Sequence, residues 1–75
     1  MPLKENLKQL RIEHKVKQKD LAQYLGISSI AVANYENGRS QPDLDTAKKI
    51  ADFFHITIDE LIAESYHLKK PEENN

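Results

Sequence analysis

Between Gln18 and Gly38 the chain reads QKDLAQYLGISSIAVANYENG, two short helical patterns separated only by Leu25-Gly26-Ile27-Ser28. A link this tight leaves the second helix no room to fold back antiparallel on the first. Two helices crossing steeply over a turn of 3–4 residues, often with a glycine in it, form a helix-turn-helix. In such a unit the first helix braces and the second is free to enter the major groove of DNA. The pattern predicts a small helical domain suited to reading duplex DNA.

The rest of the chain is read around that unit. Seventy-five residues make one domain, with a core small enough to lean on regular helix packing or on oligomerisation. There is no cysteine, which excludes disulfides and thiolate metal sites and agrees with a reducing cytoplasm. MPLKENLKQL at the N-terminus holds no long apolar run, so neither a signal peptide nor a membrane-spanning helix is expected. No internal repeat is present. The folded domain is expected over residues 1–66, with 67–75, ending in KKPEENN, as a partly disordered tail.

Helix 1 is predicted from about Leu3 to His14, with Leu3, Leu7 and Leu10 as one apolar stripe and Val16 dropping into the core behind it. Helix 2, Gln18 to Leu25, should bury Leu21, Ala22 and Leu25. Gly26 suits the left-handed position that ends it, and Ser28 suits the N-cap of helix 3, Ser29 to Asn37, which Gly38 closes. After the loop Arg39-Ser40-Gln41-Pro42, Asp43 caps helix 4. That helix, Leu44 to Phe54, is expected to bury Leu44, Ala47, Ile50, Ala51 and Phe54. Thr57-Ile58-Asp59-Glu60 is a capping box, and Ile56 and Leu61 stand where a hydrophobic staple would. Helix 5 should bury Ile58, Leu61 and Ile62 and fray past Ser65. No segment alternates as a strand does, so the expected class is all-α, a compact five-helix bundle.

A net charge of −1 is unusual for a chain that approaches DNA, but the charge is polarised. Residues 1–40 hold seven cations against four acids, a net of +3, and residues 41–75 hold four against eight, a net of −4. The half carrying the helix-turn-helix is the basic one, an arrangement that orients a protein on a polyanion.

Several fragments in this order resemble the Cro and phage-repressor type of helix-turn-helix domain, the Xre-like family. They are Leu7-Lys8-Gln9-Leu10-Arg11, Gln18-Lys19-Asp20-Leu21-Ala22, Leu25-Gly26-Ile27-Ser28, Val32, Tyr35-Glu36-Asn37-Gly38, Pro42, Leu44 and Ile56-Thr57-Ile58-Asp59-Glu60-Leu61. The resemblance covers roughly residues 5–63. It implies a lambda-repressor-like fold and a prokaryotic or phage transcriptional regulator, expected to be a repressor. It also implies double-stranded DNA bound by a dimer on a palindromic operator. Position by position, it places Ser29, Ile30 and Asn34 in the major groove and gives Gln18 a phosphate contact. Ser28, Asn37 and Arg39 fall along the sugar-phosphate backbone. Arg11 and Glu36 match a charged pair that ties helix 1 to the end of helix 3.

The residue types make these roles chemically specific. Asn34 can pair bidentately with the N6/N7 edge of adenine, a contact worth ~1–3 kcal/mol of discrimination; its plainer role is an exposed helix residue. Ser29 suits several base edges or a phosphate. Ile30 offers methyl surface to a thymine, or serves as a core or dimer contact. The stretch Ser29-Ile30-Ala31-Val32-Ala33-Asn34 is more apolar than the family pattern, which points to thymine methyls and DNA shape or to an apolar partner for helix 3. Lys17 stands where an N-capping Ser, Thr or Asn is usual, forgoing ~1 kcal/mol, and Lys15 stands where Gly or Asn often takes a positive φ. Lys15, Lys17 and Lys19 together cluster where a phosphate would meet the start of helix 2.

Other features have blander readings. His14, His55 and His67 share no ligand spacing, so neither a metal nor another cofactor is expected, and His55 suits a left-handed helix end. Asp43, Asp45, Asp59 and Glu60 lie in first turns, where they complement helix dipoles. No nucleophile-base pairing or phosphate-cradling glycine loop is present, so the chain is expected not to be an enzyme. Tyr24 should pack on the surface or touch DNA backbone, and Tyr35 should be core. Phe53 beside Phe54 is expected to be exposed and to join Tyr66 and Leu68 in an apolar patch. That patch suits a homodimer through helices 4 and 5 and the tail, unless the tail folds back over its own domain. The alternatives are an antitoxin-type or other regulator acting mainly through a protein partner, favoured by the apolar helix 3, or an interaction module without DNA binding, favoured by the sequence pI of 6.3.

Overall fold

The leucine stripe of the first helix forms one wall of the core. In the computed structural model, which describes residues 2–64, α1 spans Leu3–Glu13 and buries Leu3, Leu7 and Leu10. Four further helices follow, α2 Gln18–Leu25, α3 Ser29–Asn37, α4 Leu44–Phe53 and α5 Ile58–Leu61, and there is no strand among the described residues. α3 lies against both α2 and α1, and α4 joins α2 to α5. The core they enclose is made by Leu7, Leu10, Leu21, Val32, Ile50 and Leu61, none of which reaches solvent, with Leu25, Ala47, Ala51 and Phe54 around them. Val16, Ile27, Tyr35 and Ile56 pack on it from the rim. Tyr35 is thus half-buried where full burial was expected.

The first four helices end in the same way. In each, a residue two or three positions beyond the helix donates its N–H five residues back: Val16 to Arg11, Ile27 to Ala22, Arg39 to Asn34 and Ile56 to Ala51. This closure needs a left-handed residue just before the donor. Gly26 (φ +74°) and Gly38 (φ +79°) supply it after α2 and α3, while Lys15 (φ +57°) and His55 (φ +59°) supply it after α1 and α4. The two non-glycine positions each cost ~1–2 kcal/mol in backbone sterics, which the surrounding packing offsets.

The helix starts follow their sequences, with side-chain caps on α3, α4 and α5 and none on α1 and α2. Ser28 accepts from the Ala31 N–H and Asp43 from the Thr46 N–H, and Thr57 and Glu60 exchange the two bonds of a capping box. The Thr46 backbone N–H holds the Asp43 carboxyl below its ordinary value. This cap is therefore fully charged above the usual carboxylate range and is lost as the pH falls through the lowered value. Lys17, before α2, makes no side-chain cap.

One buried polar side chain was not anticipated. Asn6 sits in the leucine stripe at 3% exposure, and its Nδ2 donates to the carbonyls of Leu61 (2.8 Å) and Ala63 (2.6 Å). Those carbonyls stand at and beyond the end of α5, a single turn too short to hold itself. Asn6→Ala is expected to lower stability by ~1–3 kcal/mol, the cost of leaving buried acceptors unmade. A lower urea midpoint at unchanged slope would record it.

Three expectations are corrected. Leu44 is 69% exposed, not buried: helical side chains lean toward the N-terminus, so at the first position of α4 it points off the end of the helix. Phe53 is half-buried rather than exposed, because Tyr24 on α2 covers it edge-on at 4.9 Å while Phe54 turns toward His14 at 5.0 Å. Helix 5 stops at Leu61, with Ile62 as its C-cap, short of the extent expected for it. Tyr66 and Leu68, and the tail as a whole, lie outside the described residues.

Candidate nucleic-acid interface

The unit formed by α2 and α3 is rigidly made. Ile27 links them by its bond to Ala22 at 3.0 Å and packs on the core, and Ser28 Oγ caps α3 through the Ala31 N–H at 3.1 Å. Within α3 only Val32 is fully buried. Ser29, Ile30 and Asn37 are exposed, and Ala33 and Asn34 are partly so. Ile30 is 71% exposed, which removes the core reading of this residue. The side-chain hydrogen bonds of the described residues involve none of Ser29, Asn34, Asn37 and Arg39. Their polar groups face solvent without an internal partner.

The far end of α3 is anchored by charge. Glu36, whose side chain is 4% exposed, accepts from Arg11 Nε at 2.6 Å and from Arg11 Nη2 at 3.1 Å, while Arg11 Nη1 donates to the Val16 carbonyl at 2.9 Å. The pair predicted from the sequence is thus bidentate, the strongest geometry available to these two groups. The hydrogen bond to Glu36 holds the Arg11 guanidinium above its already high ordinary value, against the opposing effect of burial.

Gln18 joins this network, a contact that nothing in its spacing to Glu36 foretells. Its Nε2 donates to Glu36 Oε1 at 3.1 Å, so one amide N–H is committed internally and the other is free. Lys15, Lys17 and Lys19 are exposed around the uncapped start of α2, and Arg39 is exposed just past Gly38. Cationic side chains therefore lie in sequence before and after the exposed α3 face, and α3 itself exposes none. Among the described residues no helix is long and apolar enough to cross a membrane.

A family model described as Helix-turn-helix matches residues 7–61. The chain belongs to the Xre/Cro-like helix-turn-helix family. Among its relatives, HTH-type transcriptional activator BcrR of Enterococcus faecalis is 38% identical over 63 residues, which cover 84% of this chain and 31% of that protein. Cryptic phage CTXphi transcriptional repressor RstR of Vibrio cholerae is 32% identical over 59 residues, covering 79% of this chain and 53% of that protein. The chain thus spans about a third and about half of these two helix-turn-helix relatives. A crystal structure of a transcriptional regulator from Listeria innocua superposes with a TM-score of 0.79 at 30% identity, covering 96% of this chain and 81% of that one. The all-α helix-turn-helix fold is shared with it.

Proposed function

We propose that this chain binds double-stranded DNA as a transcriptional regulator, with α3 in the major groove of a palindromic operator. The observation that carries the reading is the exposed α3 face, whose polar groups lack internal partners and which cationic residues precede and follow in the sequence. Asn34 pairs with adenine, Ile30 touches a thymine methyl, and Ser29 bonds to a neighbouring base edge. The remaining N–H of Gln18, together with Ser28, Asn37, Arg39, Lys17 and Lys19, holds phosphates and sets the register. Two copies place their α3 helices about 34 Å apart, one turn of DNA. The dimer surface proposed is the α4–α5 side around Phe53, where Tyr24 adds an exposed aromatic edge. One relative is named an activator and another a repressor. Repression is the simpler use of such a module, since occupying a promoter needs no contact beyond the DNA.

Selection of binding sites from random duplexes tests this. A two-fold symmetric winner, bound with a 2:1 protein-to-duplex ratio, is the expected result. The absence of any enriched site would overturn it in favour of a regulator working through a protein partner, for which exposed Leu44 is the supporting feature.

The uncapped start of α2 yields a second expected result. Lys17→Ser supplies the missing cap and should add ~1 kcal/mol of stability, raising the melting temperature by about 4–8 °C. The same change removes a cation from the proposed phosphate site, so DNA affinity should fall and its salt dependence flatten. Thermal melting and binding titrations at two salt concentrations separate the two effects; unchanged binding would exclude Lys17 from the interface.

A further inference from the structure

We infer that the base pairs contacted by α3 in each half-site are A·T pairs, with thymine under Ile30 and adenine under Asn34. The inference rests on the proposal that α3 reads duplex DNA, and its ground is the chemistry that α3 lacks as much as what it presents. From Ser29 to Asn37 the helix carries no Lys, Arg or His. Its one carboxylate, Glu36, is buried and occupied by Arg11 and Gln18.

Each base makes its own demand in the major groove. Guanine shows two acceptors, N7 and O6, best met by a forked or pointed cation, and cytosine shows an N4 donor best met by a carboxylate. α3 has neither group to offer. Adenine shows an acceptor beside a donor, matched by a carboxamide, and thymine shows a methyl group, matched by an apolar side chain. Ser29, Ile30 and Asn37 of α3 are exposed and Ala31, Ala33 and Asn34 partly so, that is, one hydroxyl, three apolar groups and two carboxamides, while the partly exposed Tyr35 packs on the core.

Spacing places the two main contacts on neighbouring base pairs. Ile30 and Asn34 are one helical turn apart on the same face, separated along the axis by about 6 Å. That is less than two base-pair steps of about 3.4 Å each. Ala33, adjacent to both, carries only a methyl group and lets the helix approach closely. The nearest cations, Lys17 and Lys19 before α2 and Arg39 beyond Gly38, lie outside α3.

The test uses the selected duplex with single-atom base changes. Replacing the contacted thymine by deoxyuridine removes only its methyl, and 7-deazaadenine removes only the N7 acceptor. Deoxyuridine should weaken the native protein several-fold and leave Ile30→Ser indifferent, and 7-deazaadenine should weaken it about tenfold or more and leave Asn34→Ala indifferent. Both side chains lie at the surface, and helical circular dichroism verifies that the variants fold. A winning site with G·C pairs in the contacted core would overturn the inference while sustaining the DNA-reading proposal. So would an A·T core at which the analogues act equally on native and variant proteins, since DNA shape would then be the signal. No enriched duplex at all would overturn the underlying proposal too.

Discussion

Arg11→Ala is expected to lower the stability of the domain by ~3–5 kcal/mol, the cost of stranding one member of a buried ion pair. The partner left behind, Glu36, is 4% exposed and would keep only the Gln18 amide as a donor. The loss also frees the Val16 carbonyl, which Arg11 Nη1 satisfies. In a domain of this size the melting temperature should fall by more than about 12 °C. Replacing both partners, Arg11→Met with Glu36→Met, should recover much of the loss, because an apolar pair strands no charge. Thermal and urea unfolding of the three proteins decide this. If Arg11→Ala melts with the native protein, the pair is not structural. Because the defect is one of folding, any loss of DNA binding in Arg11→Ala should vanish once affinity is measured against the folded fraction.

The second large effect expected is on salt dependence. Lys17, Lys19 and Arg39 give each protomer three cations at the proposed backbone contacts, six in a dimer. Six phosphates neutralised give a log–log slope of about −5, so affinity should drop roughly a thousandfold between ~50 and ~200 mM salt. Arg39→Ala removes two of the six and should make the slope shallower by about 2. Uracil analogues and Asn34 variants, by contrast, should shift affinity at every salt concentration without changing the slope. A slope near zero for the native protein would remove the phosphate contacts from the account altogether.

Much of this fold was legible because its signals are local. Ser28, Asp43 and the Thr57–Glu60 box cap helices through hydrogen bonds three residues long, and the left-handed turns at Gly26, Gly38, Lys15 and His55 follow from chain ends that repeat one geometry. The Arg11–Glu36 pair came from family resemblance, since its partners lie 25 residues apart. What escaped were contacts whose partner lies elsewhere in the chain. Leu44 fits the apolar period of α4, but periodicity does not say where the neighbouring helices stop. Phe53 was expected to be exposed beside a buried Phe54, whereas the fold gives each an aromatic partner of its own, Tyr24 and His14. Asn6 occupies a stripe position with Leu3, Leu7 and Leu10, and that was the available sign of its burial; its acceptors, 55 and 57 residues away, carried none. At the candidate interface, Gln18 was placed by its type, while the carboxylate that turns its amide could be seen only in three dimensions.

Asn6 and Arg11 stand five residues apart on the same helix, about 7.5 Å along its axis. One secures the end of α5, the other the end of α3. α1 therefore works as a rigid bracket between α3, whose exposed face is the proposed reading surface, and α5. A load placed on α5 would pass into α1 before it disturbed α3. Loosening the bracket at Asn6 should free α5 while leaving the hold of Arg11 on α3 intact.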